Sequence, residues 1–116
     1  MKILNDAKNL KCDGAVKCIF NLNELDIKVY KELKKEENIR ADELAEILKK
    51  ERSTVYRSLQ KLTKCGICIK QTKNLEKGGY FHTYSCSGKL EIKKAAEECL
   101  EEWYHSIKKT LSQLNE

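Results

Sequence analysis

A mainly α-helical chain with one small β-hairpin, an α+β arrangement closed by a long terminal helix, is what this sequence predicts. Three observations carry the prediction. Apolar residues recur at the three-and-four spacing of a helix face over most of the chain from residue 23 onward. Between Gly66 and Gly88 that period gives way to two short runs rich in aromatic and β-branched residues, separated by KNLEKGG. Finally, residues 49–64 hold six basic side chains (Lys49, Lys50, Arg52, Arg57, Lys61, Lys64) against one acid, Glu51, a local balance of +5 that equals the net charge of the whole chain. Clustered charge on one helix is the footprint of a surface that meets phosphate.

Taken in order, residues 1–22 form an N-terminal segment, the least regular part, holding Cys12 and Cys18. The first ten residues suit either a short helix or a loose arm, and Phe20 and Leu22 are placed to pack onto the domain that begins at residue 23. Asn23 reads as an N-cap followed by acids, and Leu25, Val29 and Leu33, widened by Ile27 and Tyr30, give the stripe of a first helix ending near Glu37. Asn38 breaks the pattern, and Ile39 pins the connection to the core. ADELAEILKK then opens a second helix with acids suited to the positive end of its dipole, and Leu44, Ile47 and Leu48 are expected to face inward.

The third helix, ERSTVYRSLQKLTKC at residues 51–65, starts within a few residues of the second. Val55, Leu59 and Leu62 share one face, and Ser53, Arg57, Gln60 and Lys64 fall roughly opposite. Two short helices joined by a tight turn give helix-turn-helix geometry, with residues 51–65 as the reading helix. Gly66 is its C-cap, because glycine enters the left-handed conformation at little cost. A strand at 67–72, a loop at 73–79 and a strand at 80–86 make the hairpin, or wing, and complete a domain at 23–86. Residues 87–116 form the C-terminal dimerisation helix: past Gly88 no breaker appears, and Ile92, Ala96, Cys99 or Leu100, Trp103, Ile107, Leu111 and Leu114 keep the helical period. So long a helix does not hold alone in water, so Leu100, Trp103, Ile107, Leu111 and Leu114 are expected to form a dimer interface with a second copy.

The totals bound the function. A chain of 116 residues, 41% apolar and 35% charged, suits one domain with a modest core and wide charged surfaces. No apolar run approaches the ~20 residues of a membrane span, and the start, MKILNDAKNLKCDG, lacks a signal-peptide h-region; a cytoplasmic location is expected. No glycine-rich phosphate loop or nucleophile motif is present, and His82 and His105 fall in different elements, so an enzyme is not expected. No cofactor and no small-molecule ligand is identifiable.

The order helix, helix, basic helix, glycine, hairpin, long helix is that of a winged helix-turn-helix with a dimerisation helix. At the level of residues, LNELDIKVYKEL, DELAEILKKERSTVYRSLQKLTKCGI and GGYFHTY resemble the small, single-domain archaeal regulators of the TrmB-like group, and more distantly the MarR and ArsR types. The resemblance covers roughly residues 18–84, with RSTVYRSLQKL its most specific segment. It implies a homodimer that binds duplex DNA sequence-specifically and raises or lowers transcription. The sugar-binding domain of longer TrmB proteins has no counterpart here, so sugar sensing is not carried over.

On this reading Ser53, Thr54, Tyr56 and Arg57 lie in the half of the reading helix that reaches base edges, and Arg57 is the expected base contact, its planar fork matching guanine. Gln60 lies on the same face. Lys49, Lys50, Arg52, Lys61 and Lys64 are expected phosphate clamps, and Lys73 and Lys77 of the wing add contacts at the flanking groove or backbone. A non-specific architectural DNA binder, or a protein-interaction module of the transcription machinery, is the alternative reading.

The six cysteines are expected to be thiols, metal ligands or redox switches rather than a disulfide framework. Cys12, Cys18, Cys65 and Cys68 form two pairs that in principle supply four zinc ligands, although the first spacing is unusual and Cys68 opens a strand. Cys65, Cys86 and Cys99 read singly as small buried apolar groups. CIFNLNELD, with Cys18, looks like the cysteine-bearing segment of some thiol-responsive regulators of this group. That likeness implies a disulfide between copies or between Cys12 and Cys18 as a redox switch.

Overall fold

The computed structural model describes residues 12–115, so the arm or short helix expected for the first ten residues lies outside the described residues. The expectation of irregular chain up to residue 22 is corrected by α1 (Cys12–Ile19). Val16 and Phe20, four positions apart, are both buried, as is Leu22, so this segment is part of the core rather than an appendage. Asn21, at φ 54, turns the chain out of α1; asparagine tolerates that left-handed conformation better than most residues.

α2 (Glu24–Lys35) begins as expected at Asn23. The Asn23 side chain accepts the Asp26 backbone N–H at 2.8 Å, and the Asp26 carboxylate accepts the Asn23 N–H at 3.0 Å, a reciprocal capping box. Val29, Tyr30 and Leu33 are buried along it. α3 (Ala41–Leu48) buries Ala41, Leu44 and Ala45, but Ile47, expected to face inward, is 48% exposed. The two alanines widen the stripe on the other side of Leu44 and let neighbouring elements approach there, leaving Ile47 beyond its edge.

Lys49, Lys50 and Glu51 join α3 to α4 (Arg52–Cys65), with Lys49 in the left-handed conformation at φ 54. Val55, Ser58, Leu59 and Leu62 are the buried residues of α4. Gly66, at φ 87, stops the helix as expected, its N–H directed to the Leu62 and Thr63 carbonyls.

β1 (Cys68–Asn74) and β2 (Tyr80–Cys86) pair antiparallel, Cys68 opposite Cys86 and Asn74 opposite Tyr80. The first strand runs further than the sequence predicts because Lys73 and Asn74 pair with Phe81 and Tyr80. The loop shrinks accordingly and is closed by the Leu75 N–H on the Gly79 carbonyl at 3.0 Å. Beyond Cys68 every residue of β1 is exposed, so the hairpin projects from the body. Its base is tied down by Ile39, which exchanges hydrogen bonds with Tyr84 at 2.9 and 2.7 Å. Ile39 itself is buried, as expected.

α5 (Lys89–Ser112), followed by a short 3-10 turn at Gln113–Asn115, packs Ile92, Ala95, Ala96 and Cys99 against the core. None of its residues is fully buried, and past Cys99 it leaves the body, stretching the molecule to 64 × 28 × 27 Å. No helix among the described residues is long and apolar enough to cross a membrane.

Candidate nucleic-acid interface

α4 divides cleanly into a sealed face and an open one. Val55, Leu59 and Leu62 are wholly buried, whereas Arg52, Ser53, Tyr56, Arg57, Gln60 and Lys64 are exposed and Thr54 is half-buried. Lys49 and Lys50, in the turn before it, are exposed as well. Arg52 is partly engaged, its Nε 2.9 Å from an Asp42 carboxylate oxygen, but both groups are open to water. Such a pair is worth little, so the guanidinium can be handed to a phosphate.

Lys61 is the exception. Its Nζ donates to Asp26 at 2.7 Å and to the Asn21 carbonyl at 3.0 Å, on the inward flank of α4. The reading of Lys61 as a phosphate clamp is therefore corrected: the buried carboxylate needs a cation, and Lys61 is the one positioned to supply it. Asp26 also accepts a hydrogen bond from the Ser58 hydroxyl at 2.6 Å. Burial alone would push the Asp26 carboxyl up, yet the hydrogen bonds from Lys61, Ser58 and the Asn23 backbone, with the Lys61 charge, hold it below the usual carboxylate range. One buried group thus caps α2 and fixes the roll of α4, aiming the open face outward. The N-cap at Asn23 was legible in the sequence; the partners of Asp26 on α4, 32 and 35 positions away, were not.

The wing supplies Lys73 near the tip of β1 and Lys77 in its loop, both exposed. Between the wing and the starts of α3 and α4 lies a cleft of about 190 Å³, which Arg40, Arg52, Tyr56, Tyr80 and His82 help to line. The Arg40 guanidinium sits 4.5 Å from the centre of the Phe81 ring, a cation-on-ring contact that holds it in place. Arg40 and His82 were missed as site residues because they lie outside the basic cluster; only the fold brings them beside Arg52 and Tyr56.

The cysteines divide by position. Cys12 opens α1, and its side chain lies outside the described residues. Cys18 is exposed and free on α1. Cys68 is buried, while Cys65, Cys86 and Cys99 are half-buried, and all four thiols are free. Burial pushes the Cys65, Cys68 and Cys86 thiols up, which opposes the thiolate that a metal or an oxidant requires. Among the described residues no three His, Cys, Asp or Glu side chains gather where they could hold a metal ion.

Along α5, Leu100, Trp103, Ile107, Leu111 and Leu114 are all exposed, from 40% at Ile107 to 77% at Leu114. Tyr104 joins them at 56%.

Comparison with known proteins gives this geometry a family. The family model described as "Sugar-specific transcriptional regulator TrmB" matches residues 16–87, more than half of the chain. "Uncharacterized protein MJ1082" of Methanocaldococcus jannaschii is 32% identical over 114 residues, 98% of this chain and 94% of its own length. The structure titled "Possible transcriptional regulator from Methanosarcina mazei Go1" superposes with a TM-score of 0.69 at 30% identity, covering 85% of this chain and 84% of that one. MarR, at 15% identity and a TM-score of 0.52 over 97% of this chain and 91% of its own, shares the fold. The exposed basic helix and wing are thus those of a DNA-binding winged helix-turn-helix, and the chain belongs to the TrmB family of transcriptional regulators.

Proposed function

We propose that this protein is a sequence-specific regulator of transcription that works as a homodimer on a pseudo-palindromic operator. The observation that carries the reading is the division of α4, whose apolar face is closed into the core while Ser53, Tyr56, Arg57, Gln60 and Lys64 stand in solvent. Arg57 reads a guanine edge through its paired donors; Ser53, Thr54, Tyr56 and Gln60 add shorter contacts in the major groove. Lys49, Lys50, Arg52 and Lys64, with Lys73 and Lys77 of the wing, neutralise phosphates and set the register. The exposed apolar side chains of α5 support pairing with a second copy, which presents two reading helices to half-sites about 34 Å apart. A cytoplasmic setting belongs to the same reading.

Selection of bound duplexes from a random pool tests it, followed by footprinting with Arg57→Ala. A two-fold related motif is expected, and Arg57→Ala should weaken binding by about 1–3 kcal/mol while relaxing the preference at one base pair of each half-site. A pool that yields no motif, with strong salt dependence retained, would make the protein an architectural binder instead.

Thiol control is the regulatory part of the proposal. Cys18 is exposed on α1, and α1 lies against α5, where the Cys99 thiol donates to the Ile19 carbonyl at 3.4 Å. Oxidation of two Cys18 thiols from paired copies by a peroxide joins them as a disulfide and yields water, altering how the reading helices are held; bridging to Cys12 is the intramolecular form. Gel shifts of reduced and peroxide-treated protein should differ in the wild type and coincide in Cys18→Ser.

A further inference from the structure

We propose that the cleft between the wing and the starts of α3 and α4 seats one phosphate of the DNA backbone, with Arg40 as its clamp. The proposal rests on the DNA-binding reading above and adds to it a residue outside the basic cluster.

At about 190 Å³ the cleft is below the range of ~300–1,000 Å³ that suits a drug-sized ligand, so a single small group fits it better than a metabolite. Its charge selects an anion. Arg40 and Arg52 both border it, and two cations face one carboxylate, Asp42, among its described lining residues. Arg40 makes no ion pair among the described residues, and stacking on Phe81 at 4.5 Å fixes its guanidinium while leaving the N–H edges to bind oxygen. Further hydrogen-bonding side chains surround the position. Tyr56 and Tyr80 are 38% and 66% exposed, and the Tyr80 ring lies 5.4 Å from that of His82. His82 meets the Thr72 hydroxyl through Nδ1 at 3.2 Å, so its Nε2 is the ring nitrogen left for a ligand.

Location decides where the anion comes from. Arg52 and Tyr56 belong to the first half of α4, the end that enters the major groove, while Tyr80 and His82 belong to the wing that meets the adjoining groove. A group held between those two elements lies where the sugar-phosphate chain passes from one to the other. A free phosphate shares the chemistry, so the experiment separates the two sources.

Affinity of the full chain for a selected duplex and for a scrambled one is measured over a series of salt concentrations, for wild type, Arg40→Gln and Arg40→Lys. Thermal melts confirm that each variant is folded. Arg40→Gln should lower the steepness of the log–log salt dependence by about 1.8 for the homodimer, the share of one phosphate contact from each copy, and weaken both duplexes alike. Arg40→Lys should keep the wild-type steepness, since it keeps the charge. In parallel, inorganic phosphate is titrated without DNA while the His82 ring signals are followed by NMR. An unchanged salt dependence in folded Arg40→Gln overturns the seat: with saturable phosphate binding at His82 the cleft serves a free anion, and without it the cleft serves no anion. A wild type that binds no duplex removes the DNA-binding reading along with the seat, whereas a wild type that binds beside an unaltered Arg40→Gln removes the seat alone.

Discussion

The winged domain and the outer part of α5 are both built from apolar residues at helical spacing, yet they meet opposite fates. In the domain, Val29, Leu44, Val55, Leu59, Leu62 and Ile67 are shut away from water completely. On α5, Trp103, Leu111 and Leu114 carry the same kind of side chain and stay more than half exposed. The difference teaches that periodicity reports which face will be buried, not what will bury it. The domain has four other elements to close over its stripe; beyond Cys99, α5 has no neighbour within its own chain among the described residues.

Truncating one leucine in each region is the most severe way to probe that contrast. Leu62→Ala opens a cavity in a fully buried site and should lower unfolding free energy by about 2–5 kcal/mol in urea titrations. Leu111→Ala should cost well under 1 kcal/mol at low protein concentration, where copies are apart, and progressively more as concentration rises. Equal losses at all concentrations would mean that α5 is buried within the monomer and that the contrast is false.

Putting charge on the outer stripe sharpens the same point. Trp103→Glu together with Leu111→Glu places two carboxylates in the proposed interface, and sedimentation should then find a single chain of 13.5 kDa. The circular dichroism of the winged domain should persist. Operator affinity should fall by about 10²-fold or more, because each half-site is then held independently. Retention of a dimer would move the interface elsewhere.

How much of the molecule was legible beforehand depends on the range of the interactions involved. Asn23, Gly66 and the span of β2 were readable because caps and strand periods are local, set by residues three or four apart or by alternation. α1 was missed because CDGAVKCI has only Val16, Cys18 and Ile19 to suggest a stripe, and it is held by contact with α5 some 80 positions away. Ile47 was misplaced because alanines at 41 and 45, weak signals in a pattern, took the interior. In the interface the open face of α4 was readable from its own period. Arg40, and the diversion of Lys61 to Asp26, depend on pairings across the fold that no single stretch of sequence encodes.

The smallest effects come from comparing an ion pair of the winged domain with one on the inner part of α5. Asp26 and Lys61 meet at 2.7 Å with the carboxylate almost wholly buried, whereas Lys93 and Glu97 meet at 4.0 Å on the open surface of α5. Glu97→Gln should change stability by no more than about 0.5 kcal/mol, the scale of an exposed pair one helical turn apart. Asp26→Asn removes a buried charge partner and should cost about 1–3 kcal/mol. The pH dependence separates this from simple packing. Because the folded state holds the Asp26 carboxyl below its ordinary value, the contribution is fully present above the unfolded value of ~3.9 and is lost as pH falls through the folded one. Wild-type stability should therefore drop below about pH 4. In Asp26→Asn that part of the drop should be missing, so the two stability curves converge in acid. Curves that stay parallel from neutral pH into acid would show that Asp26 fixes α4 by shape alone and that its charge is incidental.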